Sequence, residues 1–580
     1  MASFNGLHIG VSGLNVSQAA LNITAHNIAN VDTKGYVRQQ TMITDFQYVK
    51  WGDSPLYSMQ KGLGANFAEV KQVRDSFLDQ AYRQEIGRQA FYESQYLAIG
   101  EVEGLFGELE GVQFQNTMKE FWEALQELSR EPDNIVARAS FVQTAVTFIE
   151  RADVISEQLN AYQVNLNTRI VNEVLRINEI GNEIRDLNIS IRHYESTEVE
   201  NANDLRDQRN LLLDELSKIA NITYKESNAG IVTVNLEGVP FVTEDLVYHM
   251  ETTQISEESQ MLKPIWVAHG YGDVFNMDRP PSSMNNTDVG SLKGLLLARG
   301  HRQAKFTDIP VRDRYETESQ YQMAVNEYNN KVEPSVIMTV QAQFDQLIHG
   351  IVTLINDTLC PNKEVTLADG SKIMILDVEN APVGVDSMGT MGEGLFTRKS
   401  MARYTEEQDI DIQIINEAGE IEITSIKARI YNEENPNDNY SLYTLGEIEV
   451  NPKILHNKSL LPLSKNDRSG AYDIEMTQKL LTKWQEPFAT LSPNTLTKNN
   501  VNEYYITFIS AIANRGEQVN SISQNQATTV ASIDNKRAEV TGVSSDEELT
   551  NLIKFQHSYN AAARYINVVS EMLEHIIMNM

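Results

Sequence analysis

The two ends of the chain share one seven-residue periodicity, although more than 500 positions separate them. From Ser545 to Met580, apolar residues recur at alternating spacings of three and four, the a/d pattern of a coiled-coil seam. This row consists of Leu552, Phe555, Tyr559, Ala562, Ile566, Val569, Leu573, Ile576 and Met580. Ser545, followed by Asp546, Glu547 and Glu548, predicts a capping box at the start of this helix.

The N-terminal stretch, from Phe4 to Arg38, has a matching stripe that only Gln18 interrupts. Its apolar positions are Phe4, Leu7, Val11, Leu14, Leu21, Ala25 and Ile28. An isolated amphipathic helix is marginal in water, because nucleation is unfavourable and ordering the backbone costs entropy. We therefore expect the ends to pair with each other and with other subunits, and to be loose until they do. Periodicity leaves open an ordinary intramolecular coiled coil that only closes the fold.

The composition excludes several classes of protein. Lys and Arg total 48 against 80 Asp and Glu, a net charge of −32 that argues against a nucleic-acid partner. Cys360 is the single cysteine, so no disulfide framework is expected, and we predict that it is a small buried hydrophobe. The N-terminus has no basic and apolar Sec-type signal, and no apolar run is long enough to span a bilayer. We expect a protein that is cytoplasmic or exported without a cleaved signal peptide.

The sequence contains no motif that predicts catalysis. A nucleophile elbow, a P-loop, a G-x-G-x-x-G loop and an H-E-x-x-H pair are all missing from it. The acidic block from Glu406 to Glu449 has the oxygen ligands of a divalent-ion site but no calcium-loop spacing, so we expect a solvated face there. We predict no catalytic residue, no metal site and no cofactor.

Helical spacing dominates the middle of the chain, and strand spacing replaces it in two places. Long stripes fill 77–220, resume near Glu316 and return from about Thr477, with Pro334 expected to split the second region. Residues 231–268 and 365–463 alternate with period two, with turns predicted at Asp369-Gly370 and Gly419. The predicted fold is mainly α with β-rich inserts: a discontinuous terminal coiled coil, a long-helix bundle and β domains.

This pattern divides the chain into four parts. They are a terminal coiled coil (1–45 plus 535–580), an elongated helical bundle (46–222 plus 290–362 plus 470–534), a β-rich segment (223–289) and an acidic β-rich insert (363–469). The segment from Asn203 to Leu216 alternates Asp, Arg and Glu within a helical stripe. It could form a carboxylate–guanidinium cluster, but we expect a charged helix face with local ion pairs.

A signature follows the first helix, where small polar residues and glycine are expected to end the helix and turn the chain. It consists of Asn27, Ala29, Asn30, Thr33, Gly35, Tyr36 and Arg38. With Ser12-Gly13-Leu14 before it and Phe555-Gln556 and Tyr559-Asn560-Ala561 at the other end, the chain resembles the flagellar axial proteins. That family comprises rod, hook and hook-associated proteins. The C-terminal pattern and the long helical region are closest to the hook-associated members.

The resemblance implies an architecture and a function. The terminal helices would form an inner domain that lines the axial tube, and the β domains would point outwards. The implied role is structural: a homo-oligomeric ring that joins the hook to the filament and allows filament assembly. Implied partners are further copies of the chain, the hook protein, the next hook–filament junction protein, a cytoplasmic export chaperone on the C-terminal helix and the flagellar type III export apparatus. The protein would be extracellular, with neither nucleic acid nor membrane as a partner.

The sequence leaves two alternatives open. One is a hook or distal rod protein of the same family, although such proteins lack the long helical region at 77–220. The other is an adhesin or enzyme displayed on the flagellum through the 363–469 insert. A deep pocket with converging polar groups in that insert would favour it.

Overall fold

The computed structural model describes residues 2–54, 57–107, 114–197, 201–257, 259–277, 279–415, 421–466 and 471–578. The predicted fold class is confirmed, since long helices dominate and small sheets interrupt them. The α-helices are α1 (Ala2–Ala29), α2 (Ser76–Phe106), α3 (Phe114–Arg130), α4 (Ile135–Tyr194), α5 (Asn203–Ile219), α6 (Ser291–Arg299), α7 (Glu318–Glu327), α8 (Val336–Leu359), α9 (Pro452–His456), α10 (Ile474–Gln485), α11 (Val501–Thr541) and α12 (Ser545–Met578).

The strands pair into small antiparallel sheets rather than one large sheet. They are β1 (Gln39–Asp45), β2 (Tyr48–Ser54), β3 (Tyr57–Gly62), β4 (Ala65–Gln72), β5 (Ile222–Glu226), β6 (Val232–Leu236), β7 (Val239–Val242), β8 (Met250–Gln254), β9 (Leu262–Trp266), β10 (Gly272–Asp273), β11 (Asn362–Thr366), β12 (Lys372–Leu376), β13 (Phe396–Arg398), β14 (Gln408–Ile415), β15 (Ile421–Ala428) and β16 (Ile448–Val450). Their orders are β1-β4, β2-β3, β5-β6-β7, β10-β9-β8, β11-β12, β13-β16 and β14-β15.

Local signals explain where the long helices start and stop. The Asp75 carboxylate accepts hydrogen bonds from Phe77 N and Leu78 N at the start of α2, and Gly107 ends that helix in the left-handed region at φ +64°. The Asn134 side chain caps the 60-residue α4 in the same way. Pro334 separates α7 from α8 as predicted, with a short π-helical turn just before it.

The core of the bundle is built from aromatic rings that several helices contribute. Phe106 of α2 packs edge to face on Phe344 of α8 at 5.3 Å and on Phe508 of α11 at 5.2 Å. On α3, Phe121 stacks on Phe141 and Phe148 of α4, at 5.3 and 5.2 Å. One apolar core therefore joins helices that are hundreds of positions apart in the chain.

One expected boundary falls differently in the structure. Helix α11 continues to Thr541, so the boundary drawn at 534/535 lies inside a helix, and the chain first breaks between Thr541 and Ser545. The Asp369-Gly370 turn joins β11 to β12 as predicted, with Gly370 at φ +86°. The turn predicted at Gly419 and the terminal Met580 lie outside the described residues, as does the side chain of Phe4.

Among the described helices, none is long and apolar enough to cross a membrane.

Candidate functional site

The first and last helices pack against each other as an antiparallel pair. Gly6 faces Val569, Gly13 faces Ala562, and Asn27 meets Glu548 near the opposite end. Chain numbering therefore rises along α1 as it falls along α12. The two ends of the chain do pair with each other, as their shared periodicity indicated.

Helix α12 turns its predicted apolar row towards α1. Val569 is buried, and the other six members from Leu552 to Leu573 are partly buried, whereas Ile576 near the chain end is about half exposed. Contacts with α1 glycines involve Ala562, Ile566 and Val569. The C-terminal row is thus the α12 side of the helix pair.

The face of α1 that packs on α12 is a row of small residues. Each of them lies one position before a position of the predicted large apolar row. Gly10, Ser17, Ala20, Thr24 and Asn27 are buried, and Gly6 and Gly13 are partly buried. These positions alternate at spacings of four and three, so they form a complete a/d row of their own. A side chain at Gly10 would overlap Ile566, since an added Cβ would lie 2.6 Å from its Cγ1. Small residues let the two backbones approach closely.

The large apolar row of α1, predicted as an assembly interface, is therefore not the row that is most buried in this helix pair. That row lies beside the seam: Leu7, Leu14, Leu21 and Ile28 are partly buried, while Val11, Gln18 and Ala25 are exposed. On α12 a second apolar face is also uncovered, formed by Leu549, Ile553, Val568 and Met572. The paired ends keep apolar surface that no described residue covers. A role for the large row between copies stays a prediction.

The signature residue Asn27 is the centre of a buried hydrogen-bond network. Its Oδ1 accepts from the Tyr36 hydroxyl at 2.7 Å and from Gln39 N at 3.0 Å. Its Nδ2 donates to Gln39 O at 2.9 Å and to the Glu548 carboxylate at 3.1 Å. Both donor hydrogens and both acceptor lone pairs of the amide are used. The side chain therefore holds the end of α1, the strand after it and α12 together.

Arg38 completes this network from the opposite side of Glu548. Its Nε donates to Glu548 at 2.9 Å and its Nη1 lies 3.2 Å from Glu547, while its backbone N–H bonds to Thr541 O at 2.8 Å. The predicted capping box is wrong, because the Glu548 carboxylate turns to Asn27 and Arg38. Ser544, rather than Ser545, offers the hydroxyl at the start of α12, to Glu547 N at 3.5 Å.

The remaining signature residues shape the turn after α1. Asn30 Nδ2 donates to His26 O at 3.0 Å and Thr33 Oγ1 donates to Asn30 Oδ1 at 3.1 Å, while Ala29 is exposed. Gly35 has φ +80°, and a Cβ there would lie 2.6 Å from Leu211. The turn thus needs glycine for its conformation and for its close approach to α5.

A second anchor joins the turn to the helical bundle through Asp207 of α5. This buried carboxylate accepts from Val37 N at 3.2 Å and from Gln72 Nε2 at 2.8 Å. Burial raises its pKa to about 6, because the charged form loses hydration that these bonds only partly replace. Burial also raises the pKa of Tyr36, with the carboxylates of Asp207 and Glu548 adding to the effect.

A buried chain of alternating charges extends from this anchor to α11. Arg537 lies 2.7 Å from both Asp79 and Asp214, and these acids also pair with Arg74 at 2.8 Å and Arg83 at 2.7 Å. The interpretation of 203–216 as a charged helix face with local ion pairs is wrong at Asp207, Arg209 and Asp214, whose partners lie outside α5. The carboxylate–guanidinium cluster forms because α2, α5 and α11 meet there.

One clue to this site was present in the sequence. The small residues follow the same 4–3 spacing as the large row, but hydrophobicity alone does not single them out; they are Gly6, Gly10, Gly13, Ser17, Ala20, Thr24 and Asn27. The buried roles of Glu548, Asp207 and Arg537 had no local signal, because their partners lie far away in the chain.

The rest of the described structure offers little for catalysis. Within the described residues, no group of His, Cys, Asp or Glu side chains is arranged to hold a metal ion. Cys360 is buried, and burial raises the pKa of its thiol to about 12, which leaves it a poor nucleophile. The prediction that it is a small buried residue is confirmed.

The insert contains a cleft of about 690 Å³, next to Arg398, Arg403 and Arg429. The guanidinium groups already bind the insert's own backbone. Arg398 donates to Ala402 O and Asn432 O at 3.0 Å and Arg429 to Met391 O at 2.9 Å, while Arg403 donates to Cys360 O at 3.2 Å, just before the insert. This arrangement holds loops in place, and so the cleft gives little support to a displayed enzyme or adhesin.

Three family models match three successive stretches of the chain. Residues 7–36 match the flagella basal body rod protein model, residues 99–360 the flagellar hook-associated protein FlgK helical domain, and residues 535–580 the C-terminal model of the flagellar basal body rod FlgEFG proteins. The first and third cover most of α1 and all of α12, and the second runs from the last turns of α2 through the β-rich segment to Cys360.

Three relatives that align with this chain over almost their whole length share one name. The chain is 24% identical to flagellar hook-associated protein 1 of Bacillus subtilis, covering 100% of this chain and 99% of the relative. It is 21% identical to the protein of that name in Salmonella typhimurium and 22% in Escherichia coli, with 98% of both chains covered in each comparison. Among solved structures, the flagellar hook junction protein FlgK from Burkholderia pseudomallei aligns at 12% identity with a TM-score of 0.51, over 80% of this chain and 100% of that chain.

Proposed function

We propose that the chain is a flagellar axial protein, in the branch of hook-associated protein 1, and that it forms the structural ring joining hook and filament. The observation that carries this proposal is the apolar surface left uncovered on the paired ends. Val11 on α1 and Val568 and Met572 on α12 are 41%, 48% and 60% exposed. Neighbouring copies would cover these side chains in a ring.

The helix pair has the properties of an assembly unit. Its internal contacts are made by small residues of α1, so the pair buries less apolar surface than two large rows would. The buried Asn27–Glu548–Arg38 network fixes the relative position of the two helices. Each copy would therefore present a defined apolar face, and packing between copies supplies the stabilisation that the pair lacks.

We assign the same four parts to the chain in this role. The ends form the inner, tube-lining domain, α2–α8 with α10 and α11 form the bundle, and 223–289 and 363–469 are the outward β-rich parts. The buried charge chain around Arg537 favours a stiff connection between ends and bundle. Such a connection suits a joint at which a flexible hook meets a rigid filament.

The helical region of this chain is similar to that of the hook-associated type. The model over residues 99–360 is the hook-associated helical domain, which favours the junction over a hook or distal rod protein. The family is structural, and we propose that this chain has no catalytic activity. Its partners are other flagellar components: further copies, the hook protein and the next junction protein.

Delivery to that position requires export. We propose passage unfolded through the flagellar type III apparatus to an extracellular position. A cytoplasmic chaperone would shield the C-terminal helix before export. The exposed apolar face of α12, with Leu549, Ile553 and Met572, supports the need for such a cover.

Deletion of the coding sequence tests the proposal. The deletion strain should build hooks, lack filaments and release flagellin into the medium, and the intact sequence supplied in trans should restore filaments. Normal filaments in the deletion strain would contradict the junction role. Absence of hooks would instead favour a rod or hook protein.

A further inference from the structure

A groove of about 760 Å³ lies between the 306–314 loop, α8 and the 486–498 segment. Its walls include Phe306, Phe488 and Leu496, and Leu496 is 98% exposed. Phe488 packs directly over Gly350, where an added Cβ would lie 2.3 Å from the ring. The groove therefore has an apolar floor that a partner could bury.

The charge of this groove is opposite to that of the whole chain. Its lining contains five basic side chains against three carboxylates; the basic residues are Arg312, Arg314, Lys479, Lys483 and Lys498. Lys479 and Lys498 are exposed, and neither forms an ion pair with another described residue. In a chain with a net charge of −32, such a site favours an acidic partner.

The β14-β15 hairpin of the insert has the complementary character. Residues 406–428 contain seven carboxylates and one lysine. The strand register places Ile421 and Ile423 on the same face as Asp409 and Asp411, and both isoleucines are more than half exposed. A backbone bond from Ala368 N to Asp411 O holds the strand near its root. An isolated two-stranded hairpin is marginally stable, so a partner would stabilise it.

We propose that the β14-β15 hairpin of one copy docks into this groove of a neighbouring copy. The isoleucines would cover the floor near Leu496 and Phe488, and the carboxylates would meet Lys479 and Lys498. The contact joins two different surfaces of the same chain, so it is heterologous and can propagate around a closed ring. This inference rests on the proposed ring, and it adds an outer contact to the inner one made by the chain ends.

Charge explains why a local contact of this kind matters. Copies with a net charge of −32 repel each other when a ring brings them together. A basic groove that receives an acidic hairpin replaces repulsion with attraction at that position. It also favours one orientation of neighbours over others.

Cysteine cross-linking in assembled flagella tests the docking. The full-length chain carrying both Leu496→Cys and Ile421→Cys is expressed in the deletion strain, hook–filament structures are isolated, and a short thiol-specific cross-linker is applied. Cross-linked multimers of this chain should form. Either single variant, and the pair Leu496→Cys with Met284→Cys, should give severalfold less, because Met284 is 93% exposed but lies in the other β-rich part.

The outcomes separate this inference from the function on which it rests. If the double variant is present in the isolated structures but stays monomeric, or if the link forms within one chain, the docking is wrong while the ring stands. If the wild-type chain is itself missing from isolated hook–filament structures, the junction role fails and the docking fails with it. When Lys498→Glu is added to the assembled double-cysteine chain, cross-linking should fall severalfold. Adding Asp411→Lys as well should restore part of it. If Lys498→Glu does not lower cross-linking, or Asp411→Lys does not restore it, the docking is also contradicted.

Discussion

The side chains of Asn27 and Glu548, 521 positions apart, share a buried hydrogen bond of 3.1 Å. Arg38 binds the same carboxylate from its other side, so the end of α1, the turn after it and the start of α12 are fixed by one acid. The signature after the first helix therefore has a physical purpose: it holds the two chain ends in one register.

Loss of the Glu548 carboxylate should loosen the helix pair. Glu548→Ala leaves the Asn27 amide and the Arg38 guanidinium without their shared buried acceptor, and removing one partner of a buried pair costs about 3–5 kcal/mol. Hydrogen exchange in α12 should speed up accordingly. Glu547→Ala is the matched control, since that side chain is 64% exposed and its pair with Arg38 contributes about 1 kcal/mol or less. Equal effects of the two changes would refute the assigned role.

The small-residue row predicts opposite results for two neighbouring glycines. Gly10→Ala places a methyl group 2.6 Å from Ile566 and should separate the helices, whereas Gly13→Ala meets Ala562 at an ordinary 3.7 Å. Because alanine favours a helix over glycine by about 1 kcal/mol, the second change should stabilise α1. Limited proteolysis of the terminal helices can rank the two variants against wild type. Similar protection of both would show that the seam is not as close as described.

Arg537 should be the most sensitive residue of the buried charge chain. Arg537→Ala removes the cation between Asp79 and Asp214 and should cost about 3–5 kcal/mol, seen as faster exchange where α11 meets α2 and α5. Arg192→Ala breaks an ion pair between side chains that are 44% and 62% exposed, and should change stability by about 1 kcal/mol or less. If both variants behave alike, the charge chain contributes no special rigidity.

Asp207 should make the anchor of the turn sensitive to pH. Its folded pKa of about 6 exceeds the ordinary value of 3.8, so protonation favours the folded form. This contribution is fully present below about pH 4 and is lost as the pH rises through 6, a change of about 3 kcal/mol. The amide in Asp207→Asn cannot titrate. The free energy of local opening of the wild type, minus that of this variant, should therefore decrease as the pH rises from about 4 to 7. Hydrogen exchange of α5, corrected for intrinsic rates, measures it, and a flat difference would exclude the shift.

Periodicity was sufficient to predict the helices and the pairing of the ends. The row from Leu552 to Leu573 lies on α12 as its spacing indicated, and Gly35 lies in the turn after α1 as expected, with φ +80°. Long stripes such as that of α4 identify a helix because burial on one face repeats with the helical period.

Residue-level contacts were harder to predict, for two physical reasons. Hydrophobicity favoured Leu7 and Leu14 for the seam, but close packing of two backbones selected Gly10 and Ser17 instead. Charges at Asp207, Asp214 and Glu548 look like solvated side chains in the sequence. They are buried or nearly so because their partners Val37, Arg83, Arg537 and Arg38 come from other elements.

Incorporation of Val11→Asp into flagella is the decisive measurement for the proposed ring. Val11 is 41% exposed on the large apolar row, beside the seam rather than in it, so a charge there should leave the free chain folded. We expect wild-type hydrogen exchange in α1 and α12 of the soluble protein, yet no variant chain at hook ends and flagellin in the medium. Asn15→Asp adds the same charge at another exposed position of α1 and should be incorporated. Normal incorporation of Val11→Asp, with normal filaments, would show that this face does not join neighbouring copies.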